Sequence, residues 1–160
     1  MEVTLNVRAA VRADCEAIGP IVDATLFPQD MLDSMMAPYF EAPECRHIWL
    51  VAESAGAVLG VTYCEPERMT DGTWNMLAIA VRPDLQAGGI GSALISELEA
   101  QLAGMGARIL IAETSALPDY ELTRRFYAKN GYAEEARIRD FYAAGETKVV
   151  FWKALSGRDA

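Results

Sequence analysis

The sequence predicts an α+β fold: a mixed, mostly antiparallel sheet with a central parallel strand pair, flanked by helices. Three observations carry this. Strand-type runs outnumber helical ones, and several follow each other through short turns, as hairpins do. One such run, Met76 to Val81, passes through a glycine turn into a helix and on to a second buried run, Arg108 to Glu113. A strand–helix–strand unit of that kind crosses over right-handed and leaves its strands parallel neighbours. The length of 160 residues suits one domain, residues 1–160, able to bury roughly two-thirds of its unfolded surface.

In chain order, Val3 to Val11 reads as the first strand, and Asp14 as the cap of a helix with Ala17, Ile18, Ile21 and Val22 on one face. Phe27-Pro28 breaks that helix. A second is expected from about Gln29 to Phe40, with Met31, Leu32, Met35 and Met36 inward and Pro43 closing the segment. The methionines read as core or pocket lining, and in a substrate site their flexible thioethers would tolerate varied partners. Strands follow at Ile48–Glu53, Val58–Cys64 and Thr73–Val81. Ser54-Ala55-Gly56-Ala57 makes the first two a hairpin, and Glu65 to Gly72 is a longer loop into the third. The helix from Ile90 to about Ala103 carries Ile90, Leu94, Leu98 and Leu102 every four residues and ends at Gly104 and Gly106. Asp119 is expected to cap a helix to Asn130, stopped by Gly131 in the left-handed position. Tyr132–Asp140 and Lys148–Lys153 pair around Ala143-Ala144-Gly145-Glu146, and residues 156–160 read as a frayed tail.

Composition narrows the function. A net charge of −9 disfavours polyanions, so no nucleic-acid partner is expected, and it suits a soluble protein with an amine-bearing substrate. No apolar run approaches the roughly 20 residues of a membrane span and no leader pattern opens the chain, so the reading is cytoplasmic, with no membrane partner. Cys15, Cys45 and Cys64 are odd in number, without a Cys-x-x-Cys, and His47 is the only histidine. No metal is expected; each cysteine reads as a small buried apolar residue, and His47 as structural or surface. The chain is compatible with a homodimer.

The chemistry gathers at Val81-Arg82-Pro83-Asp84-Leu85-Gln86-Ala87-Gly88-Gly89-Ile90-Gly91-Ser92. Three glycines in four positions, opening a helix whose first N–H groups lack partners, form a turn suited to phosphate. Nucleotide P-loop spacing needs Lys-Ser/Thr after the last glycine, where Ser92-Ala93 stands; the dinucleotide fingerprint needs Gly or Ala where Leu94 stands. What remains, Gln86-x-x-Gly89-x-Gly91, resembles the Gln/Arg-x-x-Gly-x-Gly/Ala loop of the GNAT (GCN5-related) N-acetyltransferases. Thr123-Arg124-Arg125-Phe126-Tyr127-Ala128-Lys129-Asn130-Gly131-Tyr132 resembles the helix-and-strand signature of the same family, and the element order is GNAT-like across nearly the whole chain.

The resemblance implies a transferase: an acyltransferase that uses acetyl-CoA as co-substrate and acts as an N-acetyltransferase on a small-molecule or peptide amine. It implies that Gln86, Ala87, Gly88, Gly89, Ile90, Gly91 and Ser92 cradle the pyrophosphate. Leu77, Ala78, Ile79, Ala80 and Val81 would offer backbone pairing to the pantetheine arm, and Tyr127 would meet the thiol as general acid. Arg82, Arg124, Arg125 and Lys129 are cations that could face the phosphates, Arg124 foremost, with solvated helix charge as the alternative for Arg125 and Lys129. Two positions depart from the family pattern. The fourth-strand glutamate that serves some members as base is Asn75 here, able to hold a water. The asparagine that bonds pantetheine in many members is Tyr120, whose hydroxyl could substitute.

The base is therefore sought elsewhere, first at Glu113, then at Glu65 and Asp71. Asp140, Phe141 and Tyr142 are candidates for the acceptor pocket, with Phe141 and Tyr142 alternatively in the core. The competing function is a catalytically silent acyl-CoA-binding or sensing module, which Asn75 favours and Tyr127 disfavours.

Overall fold

The computed structural model describes residues 4–155. The strands are β1 (Asn6–Ala9), β2 (Ile48–Ser54), β3 (Ala57–Pro66), β4 (Thr73–Val81), β5 (Ile109–Ser115), β6 (Ala133–Ala143) and β7 (Glu146–Ala154). The helices are α1 (Cys15–Thr25), α2 (Leu32–Glu41), α3 (Ile90–Gly104) and α4 (Glu121–Lys129). The sheet runs β1-β2-β3-β4-β5-β7-β6. β4 and β5 are parallel, while β1–β2, β2–β3, β5–β7 and β6–β7 are antiparallel, which is the mixed sheet the sequence predicts. No helix among the described residues is long and apolar enough to cross a membrane.

The chain divides into two compact units, Met1–Pro66 with Leu77–Leu98, and Glu67–Met76 with Glu99–Ala160. In the first, Ile18, Ile21 and Val22 of α1 and Leu32 and Met36 of α2 pack with Trp49, Val51, Val61 and Tyr63 of the central strands. The buried positions of α1 follow helical spacing, which leaves Ala17 one step off the stripe and exposed, against expectation. Met31 falls in a 3-10 turn ahead of α2 and is likewise exposed. β1 is shorter than expected because Arg12–Asp14 forms a 3-10 turn; Val3 lies outside the described residues. Asp14 makes no side-chain cap for α1. Its carboxylate accepts from the Val11 N–H at 2.7 Å and from the Arg8 guanidinium at 2.8 and 2.9 Å, and Arg8 also reaches Glu53 at 3.1 Å.

The hairpin between β2 and β3 turns on Ala55 and Gly56, both at positive φ, with Ser54 opposite Ala57. Further along β3, Gly60 permits a close approach. A Cβ there would stand 3.0 Å from the Ala80 carbonyl and 3.1 Å from side-chain atoms of Ile90 and Leu94, so the start of α3 seats directly over the strand. Of the cysteines, only Cys64 is fully buried; Cys15 and Cys45 are half-buried.

In the second unit, Thr73–Met76 pairs in parallel with Ile109–Ala112. β5 continues to Ser115, two residues past the expected end, so Glu113 lies within a strand and opposite Val150 of β7. Every residue of the edge strand β6 is exposed. Asp119 sits inside the 3-10 turn Pro118–Tyr120 and caps nothing; Tyr120 takes the N-cap position of α4. Gly131 has φ +91°, as its place after the helix requires. The following turn is locked by Lys153, whose Nζ donates to both Glu99 oxygens and to the Asn130 carbonyl, while the Tyr132 hydroxyl donates to Glu99 at 2.7 Å. Residues 156–160 lie outside the described range.

Candidate active site

The glycine turn is built from backbone. Pro83 opens a single 3-10 turn, Pro83–Leu85, after which Gln86 is extended, Ala87 stands at φ +69° and Gly89 at φ +87°. A Cβ on Gly89 would meet nothing within 4 Å, so conformation and not crowding demands glycine there. The first bond of α3 runs from the Ala93 N–H to the Gly89 carbonyl at 3.0 Å. The N–H groups of Ile90, Gly91 and Ser92 thus stand at the helix start, ahead of any intrahelical acceptor and at its positive end. Gln86, Ala87, Gly88 and Gly89 are exposed. This fits a pyrophosphate, which takes such amides as its donors. On β4, Leu77 is exposed and Ala78 and Ala80 are buried, the alternation of a strand with one open face.

The three arginines expected around this turn have other partners. Arg82 bonds Asp84 at 2.8 and 3.2 Å, within the turn itself. Arg124 donates Nη1 to the carbonyls of Ser115 and Leu117 at 2.7 and 2.9 Å, tying the end of β5 to the approach of α4. Arg125 pairs with Glu121 at 2.9 Å on the helix surface. Lys129 and Tyr120 are exposed.

Phe126 of α4 is half-buried, and Tyr127 is the buried residue of that helix. Its ring packs against Phe151 at 5.3 Å and Tyr132 at 6.0 Å. Burial, with a contribution from Tyr142, pushes its phenol well above the ordinary value, so it is fully protonated at neutral pH.

Around Asn75 four segments bring charge together. Asn75 lies opposite Ile111, so Glu113, two residues on, shares its face of the sheet. Its Nδ2 donates to Glu113 Oε1 at 3.0 Å and to Glu67 Oε2 at 3.3 Å. Its Oδ1 is buried without a partner among the described residues. Lys148 of β7 forms an ion pair with Glu113 Oε2 and places its Nζ 4.0 Å from the Phe141 ring centre. Phe141 and Tyr142 are exposed, not core, and burial together with Glu113 and Glu146 raises the Tyr142 phenol. Glu67 and Lys148 are not among the residues the sequence singles out; loop geometry brings the first to Asn75 and strand register the second, and nothing local marks them.

The other base candidates have different surroundings. Glu65 accepts from the Tyr63 hydroxyl and stands 3.3 Å from His47 Nε2, with Tyr63 stacked on Trp49 at 4.2 Å. Burial first, and the bond to Glu65 second, raise the Tyr63 phenol. Asp71 is exposed, and its main-chain carbonyl accepts from Arg108. No group of three or more potential metal ligands occurs among the described residues.

The Acetyltransferase (GNAT) domain family matches residues 45–134. No curated protein matches the chain. Among solved structures, a GNAT-family protein of Desulfovibrio desulfuricans shares 27% identity at a TM-score of 0.88, covering 96% of this chain and 100% of its own. The ribosomal-protein-S18-alanine N-acetyltransferase of Escherichia coli shares the fold at 20% identity and a TM-score of 0.78, over 98% of this chain and 97% of its own. A Salmonella typhimurium protein solved with its cofactor acetyl-CoA does so at 20% identity and 0.75, over 98% and 96%.

Proposed function

This chain belongs to the GNAT acetyltransferase family, and on that premise we propose that it moves acetyl from acetyl-CoA to a primary amine by direct attack, without a covalent enzyme intermediate. The observation that carries the reading is the exposed turn from Gln86 to Gly89, leading into the unpaired N–H groups of Ile90, Gly91 and Ser92. A structural relative holds acetyl-CoA, which supports the same co-substrate here. Residues 1–160 act as a single N-acetyltransferase domain in this reading. Amine acceptors are supported by the E. coli relative, whose name gives an alanine of ribosomal protein S18 as its target.

The residues take these roles. Gln86 to Ser92 hold the pyrophosphate through backbone amides, and Leu77 to Val81 offer N–H and C=O groups to the amides of pantetheine, as an open strand does to a peptide. Tyr120 and Arg124 border the cofactor. Tyr127, kept protonated by burial, gives its proton to the leaving thiolate so that the thiol departs neutral. The amine loses its proton at the pair of carboxylates that Asn75 gathers, Glu67 and Glu113.

Calorimetric titration with acetyl-CoA, followed by an amine panel read by thiol release, tests the proposal. Binding and turnover with at least one amine are expected. No binding at micromolar protein would remove the co-substrate, and binding without turnover on any amine would leave the silent acyl-CoA module.

A further inference from the structure

We propose that Glu67 is the catalytic base that takes the proton from the acceptor amine, a role the sequence reading gave first to Glu113; the inference rests on the acetyl-transfer reading above. Asn75 points to it. Both hydrogens of its Nδ2 go to carboxylates, Glu67 at 3.3 Å and Glu113 at 3.0 Å. Turning the amide over would set its oxygen against two anions, so its orientation is fixed. The consequence is that Oδ1 stays buried with no protein donor among the described residues, an arrangement that costs stability and that an apolar side chain would avoid. An asparagine here is explained by the pair of carboxylates it holds.

The two carboxylates differ in what they have left to give. Glu113 has both oxygens engaged, Oε1 by Asn75 and Oε2 by Lys148, and its charge is already matched. Glu67 is exposed, and no ion pair reaches it among the described residues. Among the described residues, only its Oε2 is bonded. Its main chain is nonetheless held in place, because its N–H donates to the Thr73 carbonyl at 2.8 Å and its own carbonyl accepts from the Thr70 hydroxyl at 2.9 Å, while Asn75 orients the carboxylate. A base needs a free lone pair at a fixed position, and Glu67 has both. Glu113 and Lys148 are then positioning residues that anchor Asn75.

The step balances. The acceptor arrives as an ammonium; an N–H bond breaks and an O–H bond forms on Glu67 Oε1. The freed nitrogen lone pair forms the C–N bond to the thioester carbonyl carbon, and the C–S electrons leave with sulfur, which takes the Tyr127 proton. The tyrosinate is reprotonated by the remaining acidic N–H of the new amide nitrogen, and Glu67 releases its proton to water.

The test is kcat/KM against pH for the full-length wild type, Glu67→Gln and Glu113→Gln, with acetyl-CoA affinity measured by calorimetry on each. Glu67→Gln is expected to lose about 10² to 10⁴ in kcat/KM and its acidic limb, with acetyl-CoA affinity kept. Glu67→Gly should recover part of the rate with added formate. Glu113→Gln should keep the acidic limb and change KM more than kcat. A Glu67→Gln enzyme within about threefold of wild type with its limb intact, or a Glu113→Gln enzyme that loses the limb, would overturn the assignment. If the wild type neither binds acetyl-CoA nor turns over any amine, acetyl transfer itself falls; a working wild type with an unimpaired Glu67→Gln falsifies this inference alone.

Discussion

The glycine turn and the Asn75 cluster are two ways of making a site from one chain. The turn uses seven consecutive residues, Gln86 to Ser92, and its donors are main-chain N–H groups at a helix start. The cluster uses Glu67, Asn75, Glu113 and Lys148, from a loop and three different strands, and its chemistry is entirely in side chains. A backbone site tolerates side-chain change but not a change of conformation. A side-chain site does the reverse: it survives backbone adjustment and fails when one functional group is removed. Tyr127 belongs with the second kind, because its role depends on one hydroxyl.

That contrast can be broken by substitution. The largest effect is expected at Tyr127→Phe, which keeps the ring packing against Phe151 and Tyr132 and deletes only the donor. With chemistry rate-limiting, kcat should fall by about 10² to 10⁴ while acetyl-CoA affinity and Tm barely move. Turnover within about twofold of wild type would take the acid role from Tyr127 and leave it a packing residue.

Gly89→Val comes next and should act the other way. At φ +87° a branched side chain is strained whatever space surrounds it, so the turn must reshape. Acetyl-CoA affinity should drop by more than about tenfold, roughly 1.4 kcal/mol or more, with kcat at saturation less affected and helical content by circular dichroism nearly intact. Unchanged affinity in the folded variant would count against a backbone-made phosphate site.

The smallest effect on rate, none beyond experimental scatter, is expected at Asp14→Asn. Asp14 is a carboxylate that the fold uses for stability, since Arg8 holds its proton affinity below the usual carboxylate range. A carboxyl with a lowered folded value adds stability above its unfolded pKa, near 3.9, and loses it as pH falls through the folded value. Asp14→Asn should therefore be less stable at pH 7 by on the order of 1–3 kcal/mol, and the gap should close in acid. Thermal melts across pH 2–7 check this; a gap that persists at the acid end would mean that charge is not the cause.

How far each region could be read beforehand follows from the same contrast. Element order and the parallel pair were legible because hydrophobic periodicity, turn residues and the strand–helix–strand connection are local signals. The glycine turn was legible for the same reason. Departures arose where local reading met competing partners. Asp14 looked like a cap but was claimed by Arg8, and Arg124 looked like a free cation but donates to the carbonyls of Ser115 and Leu117. The burial of Tyr127 on α4 depends on Tyr132 and Phe151, partners that come from later in the chain.

By itself, then, the sequence determined where the chain turns, which segments are strands and helices, and where backbone N–H groups would be exposed, since these depend on residues within a few positions of one another. Which carboxylate is neutralised and which is left free was decided only by tertiary structure. Lys148 reaches Glu113, and Asn75 reaches Glu67, through strand pairing and loop geometry that no short window of sequence contains. Charge matching depends on distances of a few ångströms between residues far apart in the chain, and only the folded register sets those distances.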